Sequence, residues 1–247
     1  MISINKTSIV ETREIGDGTV IDEFCVIRKN VVLGKKAHIY PHVVISEGSI
    51  IGDNTRVYPG TFVGKVPDGA GALARTPLFS KQISIGSDCA IGPNAVIYYD
   101  VKIENNTLVG DGASIREQCS IGSRDIISRY VTINYNTSIG DDTKIMDGTH
   151  ITGNARIGNN VFIGMLVSTA NDNNLVGRTY SEKDIGPTIE DEATIGEGAS
   201  ILPGLTLAHG CLIGAGSVVT KNVPERAVVM GVPARIIKYL EKASGDS

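Results

Sequence analysis

Four histidines and four cysteines are the residues of this 247-residue chain best suited to chemistry. His38 and His42 stand early, His150 lies in the run K-I-M-D-G-T-H-I-T-G-N, and His209 sits in L-A-H-G. An imidazole titrates near neutrality, so it can accept or return a proton. A site of three converging imidazole ligands is not indicated, because His38 and His42 are far in sequence from His150 and His209. The cysteines, Cys25, Cys89, Cys119 and Cys211, never fall in a Cys-x-x-Cys pair, so neither a metal clamp nor a redox dithiol is expected. Steps of eighteen residues pick out two rows. Asp111, Arg129 and Asp147 form one, which suits an ion ladder as well as a binding role. Ser114, Thr132, His150 and Ser168 form the other, and it leads from His150 toward Thr169.

A repeat must position these rows. Every sixth residue is aliphatic from Ile15 to Val63, from Ile85 to Ile163 and from Ile189 to Val219. The fourth residue after most of the aliphatics is small or β-branched, as in Thr19, Ala37, Val43, Thr55 and Ala95. All four cysteines occupy that slot, so they are read as core residues. Gly often follows the aliphatic, as at Gly16, Gly34 and Gly52, with Asn or Gly two places on. A period of six fits neither a helix nor a hairpin. It fits a short strand and a tight turn, repeated, with the aliphatic and the small residue both pointing inward. Gly and Asn then supply the φ > 0 that such turns ask for. The expected fold class is all-β, a parallel β-helix of hexapeptide repeats. Free buried thiols suit a reducing cytoplasm, the expected location.

Two stretches break the phase, at about 64–84 and 169–188. Long loops on a rigid scaffold are where binding usually resides. Residues 1–223 are therefore read as the repeat domain with two inserted loops, and 224–247 as a C-terminal capping segment. Within that segment Ile236, Ile237 and Leu240 have helical spacing, which predicts a short helix over the last coil. The absence of Trp and the scarcity of Phe suit short stacked strands. A net charge of −4 argues against nucleic acid as a partner. No apolar run reaches the ~18 residues of a membrane span, and the N-terminus lacks the basic-then-apolar pattern of a signal peptide.

The repeat resembles the hexapeptide-repeat acyltransferase superfamily over almost the whole chain, from about Ile9 to Val223. The resemblance implies a left-handed β-helix with three hexapeptides per coil. The stretch I-G-A-G-S-V-V-T-K-N-V-P…G-V-P-A-R, from Ile213 to Arg235, is similar to the C-terminal segment of coenzyme-A-using members. That implies acyl-CoA, acetyl-CoA first, as co-substrate and no metal. Gly196, Gly214 and Ala215 would lie along the pantetheine arm, with Lys221 and Arg235 at its phosphates. Ser168 and Thr169 would stand where the thioester arrives.

The segments around I-R-E-Q…V-T-I-N and His150 resemble the UDP-N-acetylglucosamine O-acyltransferase of lipid A synthesis. They differ at one point: the family's catalytic His is matched here by Gly153. A missing base favours an amine acceptor, which needs less help than a hydroxyl. The wider string from Asp111 to Asn173 looks like N-acyltransferases that act on nucleotide-linked amino sugars for surface polysaccharides. It implies His150, Glu117 and Asp147 as catalytic or orienting groups, with Glu117 holding the sugar amine. Arg116, Gln118, Asn134 and Tyr135 would bind the sugar and its phosphates. An O-acyltransferase and a non-enzymatic scaffold are the alternatives. Outward Val20, Val26, Val32, Val44, Ile50 and Phe62 form apolar strips that a monomer would expose. A homotrimer with sites between subunits, as in the family, would hide one.

Overall fold

The computed structural model describes residues 1–69, 76–172 and 184–241. One or two inward side chains per short strand cannot bury themselves, so each coil depends on the next. The result is a left-handed parallel β-helix. Among the described residues, three sheets of 13, 11 and 10 strands form its sides. We term them the first, second and third sheet, carrying Val20–Ile21, Val26–Ile27 and Val32–Leu33. Away from the insertions, coils stack with an eighteen-residue register, for example Val20 on His38 and Ile21 on Ile39.

The inward aliphatics are fully buried, as Ile27, Ile39, Ile45, Ile91 and Ile133 illustrate. Each such side chain contributes about 1.5–3 kcal/mol by leaving water. The small inward slot is equally buried and is often hydrogen-bonded. Thr55 Oγ1 donates to Gly86 O at 2.7 Å and accepts from Cys89 N at 3.1 Å. All four cysteines are buried and unpaired, as expected for core residues. Burial pushes the Cys119 and Cys211 thiols up to about 12, so neither is a nucleophile at neutral pH.

The turns refine one expectation. The left-handed φ falls on the third residue after the aliphatic, as at Asn30 (57°) and Asn54 (56°). The glycine directly after the aliphatic serves a different need. A Cβ on Gly34 would lie 2.5 Å from Asp53 N, so the next coil's backbone is what excludes a side chain.

Among the described residues the C-terminal helix is not formed, which corrects the expectation for Ile236, Ile237 and Leu240. Arg235–Tyr239 is a strand, antiparallel to Ala227–Met230, which itself extends the first sheet beyond Leu212–Ile213. The adjacent β-branched pair Ile236 and Ile237 favours extended backbone, and the open sheet edge supplies its partner. The inserted loops leave the prism where the phase breaks. Residues 70–75 and 173–183 lie outside the described part. Among the described residues no helix is long and apolar enough to cross a membrane.

Candidate active site

One face gathers most of the expected site. The outward row of the second sheet runs Val26, Val44, Phe62, Val96, Ser114, Thr132, His150, Ser168, Ser200, Val218. It is apolar in its N-terminal half and polar around His150. His150 is half-buried, and burial holds its imidazole below the usual histidine value, so it is neutral at pH 7. Its Nδ1 lies 2.7 Å from Thr132 Oγ1. When Nδ1–H donates to that hydroxyl, Nε2 presents a lone pair outward, the form a general base requires. Thr132 was visible as a member of the row. Its role as the His150 partner was not.

The corner after this sheet carries Arg116, Glu117 and Gln118, with Asn134 and Tyr135 one coil further. Glu117 is fully buried and accepts from Arg116 Nε and Nη2, both at 3.1 Å. Glu117 is the residue expected to hold the sugar amine. Its carboxylate faces Arg116, inside the corner, and orients that guanidinium. Tyr98 and Tyr135 flank Arg116, with ring centroids 5.7 and 5.8 Å from Cζ. Tyr98 lies eighteen residues before Arg116, so the spacing carried a signal that sequence reasoning passed over. Tyr135 also lies against Gly153, where a Cβ would come within 2.7 Å of the ring. Gly153, which the resemblance matched to a catalytic His, is therefore covered by a phenol ring. Asn171, at the root of the second loop, donates to the Tyr135 hydroxyl at 3.4 Å.

Other expected residues stand elsewhere. Asp147 is on the opposite corner, held by Ser128 Oγ, by Arg129 Nη2 at 2.6 Å and by Arg129 N at 3.1 Å. The Ser128 hydroxyl and the Arg129 guanidinium hold its carboxyl below the ordinary range. It belongs to the ion ladder and does not hydrogen-bond His150. Thr169 is expected where the thioester arrives. It occupies the inward aliphatic slot and is 3% exposed, and its Oγ1 accepts from Thr152 N at 2.8 Å. Its hydroxyl is thus closed to a thioester, whereas Ser168 beside it is exposed. Gln118 opens onto a groove of about 900 Å³ on the third sheet, with Glu47, Lys81, Asp100 and Lys102. That groove lies on a different face from the imidazole.

The coenzyme candidates divide similarly. Gly196 and Gly214 are covered by the coils above them, Gly214 by Met230, whose Cγ would be 2.6 Å from an added Cβ. Ala215 is exposed on the same corner. Lys221 and Arg235 share a cavity of about 340 Å³ with Thr220, Asn222 and Ile236. The hairpin that replaced the expected helix brings Arg235 there. His38 pairs with Asp22 at 2.8 Å, His42 stacks on Phe24 and His209 lies 3.7 Å from Glu192. The histidines thus remain dispersed, and no cluster among the described residues could hold a metal ion.

The family model described as "Bacterial transferase hexapeptide (six repeats)" matches residues 14–47, 30–65, 82–117 and 136–168. A second, "Hexapeptide repeat of succinyl-transferase", matches residues 188–221. The serine acetyltransferase of Bacillus licheniformis is 51% identical over 51 residues, 21% of this chain and 24% of that protein. The bifunctional protein GlmU of Clostridium botulinum is 32% identical over 120 residues, 45% of this chain and 26% of that one. The chain thus spans about a quarter of the length of these curated relatives. The structure of Arabidopsis UDP-N-acetylglucosamine acyltransferase superimposes with a TM-score of 0.61 at 18% identity, over 96% of this chain and 72% of that one. That likeness concerns the fold.

Proposed function

This chain belongs to the bacterial transferase hexapeptide family, and we propose that it is an N-acyltransferase moving an acyl group, acetyl first, from coenzyme A to the amine of a nucleotide-linked amino sugar. One observation carries the reading. A single ladder of strands joins a basic corner, an outward imidazole and a basic cavity in that order. Arg116 follows the strand two rungs below His150, and Lys221 follows the strand three rungs above it. At the usual strand spacing these intervals are about 10 and 14 Å. The lower interval suits the sugar and phosphates of an acceptor. The upper interval suits an extended thiol arm reaching from its phosphates, past Ser200 and Ser168, to His150.

In the proposed step the acceptor nitrogen attacks the thioester carbonyl. The N–C bond forms, the C–S bond breaks, and coenzyme A leaves as the thiol. His150 Nε2 takes the proton from the attacking amine and returns it to the departing sulfur. A neutral imidazole at pH 7 is the required starting state. Holding both substrates along one ladder supplies the orientation that makes the encounter unimolecular. The acceptor's preference for an amine rests on Gly153, where the hydroxyl-acylating relatives carry a further base. The apolar N-terminal half of the same sheet supports a homotrimer whose neighbouring subunit closes each site.

The test is product identification by mass spectrometry, using acetyl-CoA with dTDP- and UDP-linked 3-amino and 4-amino sugars and the matching hydroxyl sugars. An acetamide on an amino sugar is expected. An ester on a hydroxyl sugar, with the amines untouched, would replace this reading by O-acylation.

A further inference from the structure

The rim of the corner below His150 holds a cation that none of the chemistry above uses. Lys65, at the end of Phe62–Lys65, pairs with Tyr98 in the second sheet, and its Nζ lies 4.9 Å from the Tyr98 ring centroid. Arg116 lies over the same ring. Two cations therefore meet at one phenol, and the carboxylate bonded there is Glu117. Glu117 takes the Nε and Nη2 edge of the guanidinium from the buried side. Nη1 has no hydrogen-bond partner among the described residues, and neither does Lys65 Nζ. The guanidinium cannot rotate, because Glu117 fixes its edge and Tyr98 and Tyr135 flank it. Tyr135 is fixed in turn against Gly153. A fixed guanidinium edge, a mobile ammonium and a local excess of positive charge make up an anion receptor.

We propose that Lys65 and Arg116, held by Tyr98, Tyr135 and Glu117, form a preorganised receptor for a diphosphate, and that the diphosphate is the acceptor's nucleotide rather than the coenzyme's. The second clause rests on the nucleotide-linked acceptor proposed above. The choice follows from place. The receptor lies on the N-terminal side of His150, whereas Lys221 and Arg235 offer the coenzyme a separate basic cavity on the other side. Glu117, Tyr98 and Tyr135 are positioning residues here, and Lys65 and Arg116 touch the ligand.

Titration calorimetry on the whole protein tests this with UDP, dTDP and GDP as probes, and with coenzyme A as the competing source of diphosphate. Lys65→Gln removes an exposed charge that makes no ion pair among the described residues, so folding should be unaffected. Arg116→Lys keeps a charge against Glu117 but loses the planar edge. Each variant should raise the Kd of the nucleotide that binds by about tenfold and leave coenzyme A binding unchanged. In the wild type that Kd should rise with added salt. Unchanged nucleotide affinity in both variants would overturn the receptor, as would the absence of binding by every probe. Weakened coenzyme A binding alone would reassign the corner to the coenzyme and overturn the second clause. The outcome is separable from that of the transfer reaction. Nucleotide binding lost in the variants of a protein that transfers nothing keeps the receptor and sinks the transferase. Transfer with unchanged acceptor KM in both variants does the opposite.

Discussion

At the residue scale, two buried or half-buried groups have consequences that can be measured. The Thr132 hydroxyl lies 2.7 Å from His150 Nδ1 and positions the ring, so it matters only through the imidazole. His150→Asn should lower kcat by about 10²–10⁴ with little change in either KM. Thr132→Val should lower kcat by about tenfold, and a steady-state comparison with the wild type checks both. Asp125 is the second group. It occupies a small inward slot, accepts from Thr143 N at 2.7 Å and leaves Oδ2 without a partner. Thr107 and Thr143, one coil to either side, donate their hydroxyls from the same slot to Gly122 O and Gly158 O. An aspartate can imitate that donation only when protonated, and burial pushes its carboxyl up to about 7. Between about pH 4 and 7 the folded chain therefore keeps a proton that the unfolded chain releases, and stability falls as pH rises, levelling off above 7. The whole effect is at most roughly 4 kcal/mol. Asp125→Thr should remove this slope and raise Tm at pH 8 more than at pH 5, as followed by thermal melts at both. The inward slot of Asp125 was legible from the six-residue period. Its orphaned oxygen was not, because partners of a buried side chain belong to the neighbouring coils. Thr169 was legible too, six residues after Ile163, yet the nearby loop drew attention to function.

At the element scale, the coil is held together by turns as much as by its core. On the corner after the third sheet, side-chain carbonyls cap the turn of the coil below. Asn105 Oδ1 accepts from Ser87 N at 2.8 Å, Asn159 Oδ1 from Asp141 N at 2.8 Å, and Asp191 Oδ1 from Asn159 N at 2.7 Å. Asn159→Ala removes one such cap and should cost about 1 kcal/mol in denaturant unfolding. Gly34→Ala should cost more, about 1–3 kcal/mol, since backbone rather than a flexible side chain must give way. If Gly34→Ala is neutral, the close approach of coils is not what fixes that glycine. Periodicity made the strands legible because every coil repeats the same demand. The C-terminal hairpin was not, since Ile236, Ile237 and Leu240 suit a strand as well as a helix and the choice was made by a free sheet edge. The Tyr135–Gly153 contact lay in the eighteen-residue spacing, but ring direction is not encoded by spacing.

At the scale of the whole molecule, the second sheet divides into an apolar half and a polar half on one continuous face. On the second sheet Phe62 is 36% exposed, and on the adjoining third sheet Val32 and Ile50 are 39% and 48% exposed, apolar surface that the proposed trimer would cover. Light scattering should give three times the 26.1 kDa chain mass. Phe62→Lys should weaken that assembly and, with it, transfer, because sites between subunits need both. A chain that scatters as a monomer and still transfers would refute the shared site.

The central claim is that His150 stands between an amine acceptor and a coenzyme A thioester. Coenzyme A release, followed with a thiol reagent in wild type and His150→Asn across the amino-sugar and hydroxyl-sugar acceptors, addresses it most directly. The account predicts release with an amino sugar and a loss of about 10²–10⁴ in the variant. Wild-type release on an amino sugar that His150→Asn leaves intact, or release with hydroxyl acceptors alone, would contradict it.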